Sequence, residues 1–241
     1  MKKLLIICLT FVAVMNASAQ KIYNDANAEV RKLSGSFSEI SVSNSIDLYL
    51  TQSGEEAVAV SAASTEYRDK IRVTIDGGVL RISLDDNNKM WKNNGNRKLK
   101  AYVSFKTLNK LSASGASDVY VETDIKSNEL VLRFSGASDF KGQRINANEL
   151  SVNISGASDI NIKGGTVTTL KVDASGASDF NGYDLIADNC SAEATGASDI
   201  KITVNNELNV RASGASGVHY KGNGKIRDLK TSGASSVNRK S

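Results

Sequence analysis

The chain has 241 residues with 30 Lys+Arg, 26 Asp+Glu, a single histidine, two cysteines and no proline. The near balance of charge argues against a nucleic-acid partner, which would need cations massed on one face, and so few His and Cys cannot assemble a zinc site of the usual kind. This length suits one elongated domain or two small ones.

Residues 1–19 run from Lys2 and Lys3 through an apolar stretch to Ala17-Ser18-Ala19, the charged start, apolar middle and small-x-small end of an export signal. The expectation is a signal peptide, cleaved to leave a chain that begins near Gln20 and resides in the periplasm, at the cell surface or outside the cell. The apolar run is too short to span a membrane, and no later stretch approaches the roughly 20 apolar residues a span needs. Cys8 lies in this leader without the small residues that precede a lipidated cysteine. Cys190 is then the one cysteine of the mature chain, so no internal disulfide forms even in an oxidising compartment.

Residues 20–108 read as a divergent, β-rich part of the same domain. FSEISVSNSIDLYL (37–50), AVAVSA (57–62), KIRVTIDGGVLRISLDD (70–86) and LKAYVSF (99–105) alternate apolar and polar residues, the period of a half-buried strand. Asp76-Gly77-Gly78 between two alternating runs predicts a hairpin. This part forms either irregular coils or a small sheet that caps the rest of the domain, since an open end of a stacked fold exposes an apolar layer and unpaired edges. Between two of its strands lies a polar, Asn-rich loop (85–100) carrying Trp91, the sole tryptophan. Trp91 is either a binding anchor or a plug folded over an end of the fold.

From residue 109 the chain repeats itself. SGASD stands at 114–118, 135–139, 155–159 and 175–179, followed by TGASD at 195–199, SGASG at 213–217 and SGASS at 232–236. A period near twenty is the signature of stacked structural repeats. Leu130, Leu132 and Phe134 precede one corner and Phe140 follows it, and equivalent apolar positions flank the others. Residues 109–241 are therefore expected to form a regular parallel β-solenoid, all-β and right-handed as parallel crossovers nearly always are. No apolar spacing of 3.6 residues persists after residue 20, so no helix is expected. Phe140-x-Gly142 and Phe180-x-Gly182 alternate with Ile160-x-Ile162 and Ile200-x-Ile202, as neighbouring layers of one close-packed interior would require.

The corner admits two readings. In the structural one, Gly115, Gly136, Gly156, Gly176, Gly196, Gly214 and Gly233 supply a backbone conformation closed to other residues, the following Ala points inward, and Ser and Asp bond backbone groups. In the functional one, Asp118, Asp139, Asp159, Asp179 and Asp199 form a row that binds Ca²⁺, since oxygen-rich ladders suit a hard cation. Like charges about 5 Å apart would repel by roughly 1 kcal/mol per pair in water, so hydrogen bonds, solvent or a cation must screen them.

No catalytic residues and no cofactor are assigned. His219 alternates outward beside Val218, Cys190 replaces Leu in an apolar column, and no serine has a nearby base. Only the Asp row beside Arg133 or Arg144 keeps a polysaccharide-active enzyme open.

Taken together, the AYVSFKTLNKLSASGASDV stretch (101–119) and the Gly-centred corners resemble a family of secreted bacterial proteins described as putative auto-transporter adhesin, head GIN domain. The resemblance covers roughly residues 35–238. It implies a right-handed β-helix shaped like pectin lyases without their catalytic residues, and a role in adhesion; the Ser/Thr/Asn-rich outer faces would present repeated hydrogen-bonding groups to a glycan or a host or bacterial surface protein. Where the family frequently has a proline before the leucine ahead of the repeats, this chain has Lys106-Thr107-Leu108 and departs from the pattern. The sequence shows no barrel or stalk, so an autotransporter assembly would need another polypeptide. Association through solenoid ends or faces, as a homo-oligomeric scaffold, is the competing expectation.

Overall fold

Residues 25–85 and 97–240 are described by the computed structural model; the expected signal peptide (1–19) and Trp91 lie outside the described residues. The first part contains β1 (Glu29–Arg31), β2 (Glu39–Val42), β3 (Asp47–Gln52), β4 (Ala57–Ser61), α1 (Thr65–Arg68), β5 (Ile71–Asp76), β6 (Val79–Leu84) and β7 (Lys100–Phe105). The repeats contain β8 (Lys110–Ala113), β9 (Val119–Val121), β10 (Ile125–Phe134), β11 (Phe140–Ile154), β12 (Asp159–Ala174), β13 (Asp179–Ala194), β14 (Asp199–Ala212), β15 (Gly217–Lys221), β16 (Lys225–Thr231) and β17 (Ser236–Arg239). Together they wind a β-solenoid of about 6 turns, with stacked coils about 20 residues apart.

In the repeats each strand pairs in parallel with its equivalent in the next coil. Leu130 lies beside Leu150, Leu150 beside Leu170, Leu170 beside Cys190 and Cys190 beside Leu208. All five of these side chains are buried, so the column excludes water along its length, and each filled position adds about 1.5–3 kcal/mol of burial. β11 to β14 run for 14–16 residues, well beyond the usual five or six of a strand. Between β11, β12 and β13 the register keeps a constant offset through the bend, because successive coils turn at the same place, whereas the β13–β14 ladder shifts register between Gly182 and Ile186 and between Ala187 and Asn189.

The glycine alternation has a direct steric cause. A Cβ on Gly142 or Gly182 would overlap the ring of Phe140 or Phe180, with Cζ only 2.9 Å away in each case. The Phe ring therefore occupies the volume that the second isoleucine fills in the coils of Ile160/Ile162 and Ile200/Ile202.

The first part stacks out of chain order. β2 lies between β6 and β8, and β3 between β7 and β9, all in parallel. Antiparallel strands then close that end: β5 on β6 through the Gly77-Gly78 hairpin, with φ of 56° and 78°, then β4 on β7 and β1 on β4. That end thus combines parallel stacking out of chain order with antiparallel strands laid on its outer edges. Against expectation, one helical turn is present: Ser64 caps α1 by accepting the Tyr67 N–H. A single turn is too short for apolar periodicity to reveal.

Candidate functional site

The repeated corners line up into a ridge that divides two polar outer surfaces. In each corner the glycine has φ between 71° and 85°. Coils are knitted there by the alanine N–H, which donates to the glycine carbonyl one coil back, as Ala157 does to Gly136 at 2.8 Å. The corner alanines were expected to point inward; Ala116, Ala137, Ala157, Ala177 and Ala197 are instead exposed. The following serines take the inside, with Ser117, Ser138, Ser158, Ser178 and Ser198 all at 0% exposure. A hydroxyl is chosen over a methyl because the bend leaves backbone groups without ladder partners. Ser138 Oγ accepts the Ser117 N–H and Ser158 Oγ the Ser138 N–H, while Ser198 Oγ donates to the Thr195 and Gly176 carbonyls.

One corner escaped detection. Ser43-Asn44-Ser45-Ile46 stacks on Ser114 to Ser117, with Asn44 and Ser45 at φ 66° and 59° and the Ile46 N–H donating to Ser117 Oγ. The first serine and the aspartate of SNSID (43–47) match SGASD, and that spacing is the signal that could have found it. Asp47 thus heads the acidic column.

On the flank after the corner, Asp47, Asp118, Asp139, Asp159, Asp179 and Asp199 form a ladder. Oδ1 of Asp118 accepts the Asp139 N–H, and the same bond links Asp139 to Asp159, Asp159 to Asp179 and Asp179 to Asp199, at 3.2–3.3 Å. Lys141 Nζ sits 3.8 Å from both Asp118 and Asp139. Burial, then the charge of Asp118, raises the Asp47 carboxyl; burial, opposed by the Asp179 N–H and aided by Asp139 and Asp179, raises Asp159. Among the described residues no three His, Cys, Asp or Glu side chains converge as a metal site. The ladder stops at Asp199 because Gly217 takes the next place, where a Cβ would overlap the Asp199 carboxylate.

Next to the acids stands an outer column of Tyr102, Tyr49 and Tyr120, whose rings stack with centroids 5.1 Å apart, followed by Lys141 over Tyr120. Stacked in this way, the rings spend their faces on one another and show their edges to solvent. His219 continues the column beside Lys201 and Asn238, with Nδ1 buried and unbonded.

The ladder yields a prediction through proton linkage. A carboxyl whose folded pKa is raised binds protons more tightly when folded, so its ionisation weakens the fold; the penalty stands above the folded pKa and fades as pH falls toward 3.8. Asp159→Asn keeps the acceptor for Asp179 without the charge. Thermal melts should show this variant at least as stable as wild type at neutral pH, with the gap closing in acid. Asp159→Ala, which strands the Asp179 N–H, should lose about 1 kcal/mol.

On the other flank lies a groove of about 370 Å³. Its floor and walls are Ser114, Ser135, Ser155 and Ser175, with Arg133, Asn153 and Asp173 in successive coils. Arg144 lies outside it, 4.0 Å from Asp124. Cys190 is 3% exposed, and burial pushes its thiol pKa far up, so it is an inert core residue.

The family model for "Putative auto-transporter adhesin, head GIN domain" matches residues 36–224. The chain belongs to this family. A crystal structure of a putative adhesin from Bacteroides fragilis is similar over 88% of this chain and 96% of that one, with a TM-score of 0.80 at 22% identity. A putative adhesin from Parabacteroides distasonis aligns over 88% and 96%, with a TM-score of 0.72 at 17% identity. A putative lipid binding protein from the same species aligns over 90% and 98%, with a TM-score of 0.64 at 22% identity. At these identities the likeness shows a shared fold. No protein of curated function matches the sequence. The GIN-domain family is described as an adhesin domain and not as an enzyme class, and no helix among the described residues is long and apolar enough to cross a membrane.

Proposed function

We propose that the protein is an exported, non-enzymatic adhesion module that binds an elongated, hydroxyl-rich polymer, a glycan, along the groove beside the corner ridge. The observation that carries this reading is the periodic lining. Hydroxyls of Ser114, Ser135, Ser155 and Ser175 recur at coil spacing, about 4.8 Å, and Arg133, Asn153 and Asp173 offer donors and acceptors along the same line. A polymer lying parallel to the solenoid axis meets the same hydrogen-bonding frame at every step, so modest contacts add along its length. The family description supports adhesion as the role, and the Lys2-to-Ala19 leader supports export, which mass spectrometry of the exported chain would register as an N-terminus at Gln20.

A glycan array probed with the purified protein is the direct test. Retention on one class of glycan is expected, and Arg133→Ala and Asp173→Ala should each weaken it about tenfold, or about 1.4 kcal/mol, without altering the melting temperature, because both side chains lie on the outer face. Absence of retention on every glycan, or binding indifferent to both substitutions, would discard the groove.

A further inference from the structure

The last coil is finished unlike the first. Among the described residues β16 pairs with β14 alone and β17 with β15 alone, so the far edge of each offers backbone N–H and C=O groups without a ladder partner. The interior is open there as well. Val152, Val172, Ala192 and Val210 share one inner column at 0–1% exposure, yet Leu229, its next member, is 50% exposed. Ile226 and Val237, which end the columns of Leu208 and Val218, are only partly covered. At the opposite end β1 sets Glu29 and Arg31 beside Val60 and Val58, and the Glu29 carboxylate is held by Arg31 and Arg68, each at 2.7 Å. Ion pairs finish that strand.

Charge is just as uneven. Residues 217–240 carry Lys221, Lys225, Arg227, Lys230, Arg239 and Lys240 against Asp228 alone, whereas residues 25–100 balance at eleven acids and eleven bases and residues 101–216 hold fourteen acids against ten bases. From residue 25 onward, only the open end is cationic. Glu207 takes Arg227 at 2.8 Å, and Asp228 lies 3.8 Å from Arg211 and 3.9 Å from Lys230, but Lys225 and Lys240 make no ion pair among the described residues.

We infer that this end binds an extended acidic segment of another polypeptide, which adds as one more strand on β16. With seven residues against four in β17, β16 is the longer open edge, and a strand laid on it completes its ladder. Inward residues of that strand cover Ile226 and Leu229, while its outward residues stand about 4.8 Å from Lys225 and Lys230, where Asp or Glu meets a cation. The fitting segment therefore alternates apolar with acidic residues. Lysines on an edge are a common guard against strand addition; here they repel a second cationic end of the same kind and select a strand of opposite charge. An anionic bilayer would meet the same lysines. It offers the open edge no donors or acceptors, however, and backbone groups left unpaired are costly in lipid. A peptide strand satisfies charge, apolar cover and backbone together.

Synthetic peptides of about nine residues, in which Glu alternates with Val, Ile or Leu, span the β16 edge and test this against the full chain by fluorescence anisotropy. Saturable binding is expected, with slowed amide exchange along β16. Lys in place of every Glu, or N-methylation of alternate backbone amides, should weaken binding at least about tenfold, or about 1.4 kcal/mol. Lys225→Glu combined with Lys230→Glu should do the same, as should Leu229→Asn. All three side chains are exposed, so circular dichroism and the melting temperature should stay as in wild type. Failure of every acidic peptide to bind, tolerance of N-methylation, or retention on phosphatidylglycerol vesicles or self-association in place of peptide binding would overturn the inference.

Discussion

Replacing Gly156 by alanine should lower the melting temperature by about 6–12 °C, corresponding to about 3 kcal/mol in a domain of this size. Two effects add. The residue sits at φ 84°, where a Cβ costs roughly 1–2 kcal/mol. That Cβ would also lie 2.5 Å from the Gly136 carbonyl oxygen and 3.0 Å from its nitrogen. Neither atom can yield, since the Gly136 carbonyl accepts the Ala157 N–H at 2.8 Å and belongs to the next corner of the same column. The coils must part locally, which weakens that bond by about 1 kcal/mol. Gly115→Ala is the control. Its φ is 85°, but the nearest atom to its Cβ is Asn44 N at 3.3 Å, so only the strain of about 1–2 kcal/mol should appear. Equal losses in the two variants, measured by thermal or urea denaturation, would show that stacking of corner on corner contributes nothing.

The second large effect lies in the interior and takes the form of a rescue. Phe140→Ala empties a fully buried site and should cost about 3–5 kcal/mol. Gly142→Ile forces a side chain into the ring of Phe140 and should cost about 3 kcal/mol or prevent folding. Phe140→Ile with Gly142→Ile reproduces the Ile160/Ile162 layer one coil away, so the double variant should recover at least about 2 kcal/mol relative to the sum of its single changes. The recovery will be incomplete, because Phe140 also meets Phe134 edge to face at 5.6 Å, a contact of about 0.5–1.5 kcal/mol that isoleucine cannot make. Additive losses would mean that the two positions do not share one volume.

How much was legible can be seen residue by residue. The alternation around Leu130, Leu150 and Leu170 announced which side chains are inside, because a strand has a period of two and each coil must bury one face. The glycine of each corner was legible for the same kind of reason, a local conformation that other residues resist. The alanine and serine beside it were not. Both are small, and composition favours the methyl inside; what reverses the choice is that the bend strands backbone N–H groups that only a hydroxyl one coil away can satisfy, as Ser138 does for Ser117. Asp47 was missed because its corner lies 71 residues from Asp118 in the chain while being its direct neighbour in the stack.

The candidate groove illustrates the same division. Its serines were visible in the sequence as corner letters, but Arg133, Asn153 and Asp173 share no residue type, and only the parallel register sets them in line. By itself the sequence determined the period, the strand faces, the glycine corners and the Phe-Gly and Ile-Ile exchange, since each depends on the geometry of a short segment and the volume of its neighbours. Only the tertiary structure decided that the first part inserts out of order, that serine fills the bend, and that one end stands open, because those outcomes depend on which distant segment supplies a partner for each backbone group and a cover for each apolar layer.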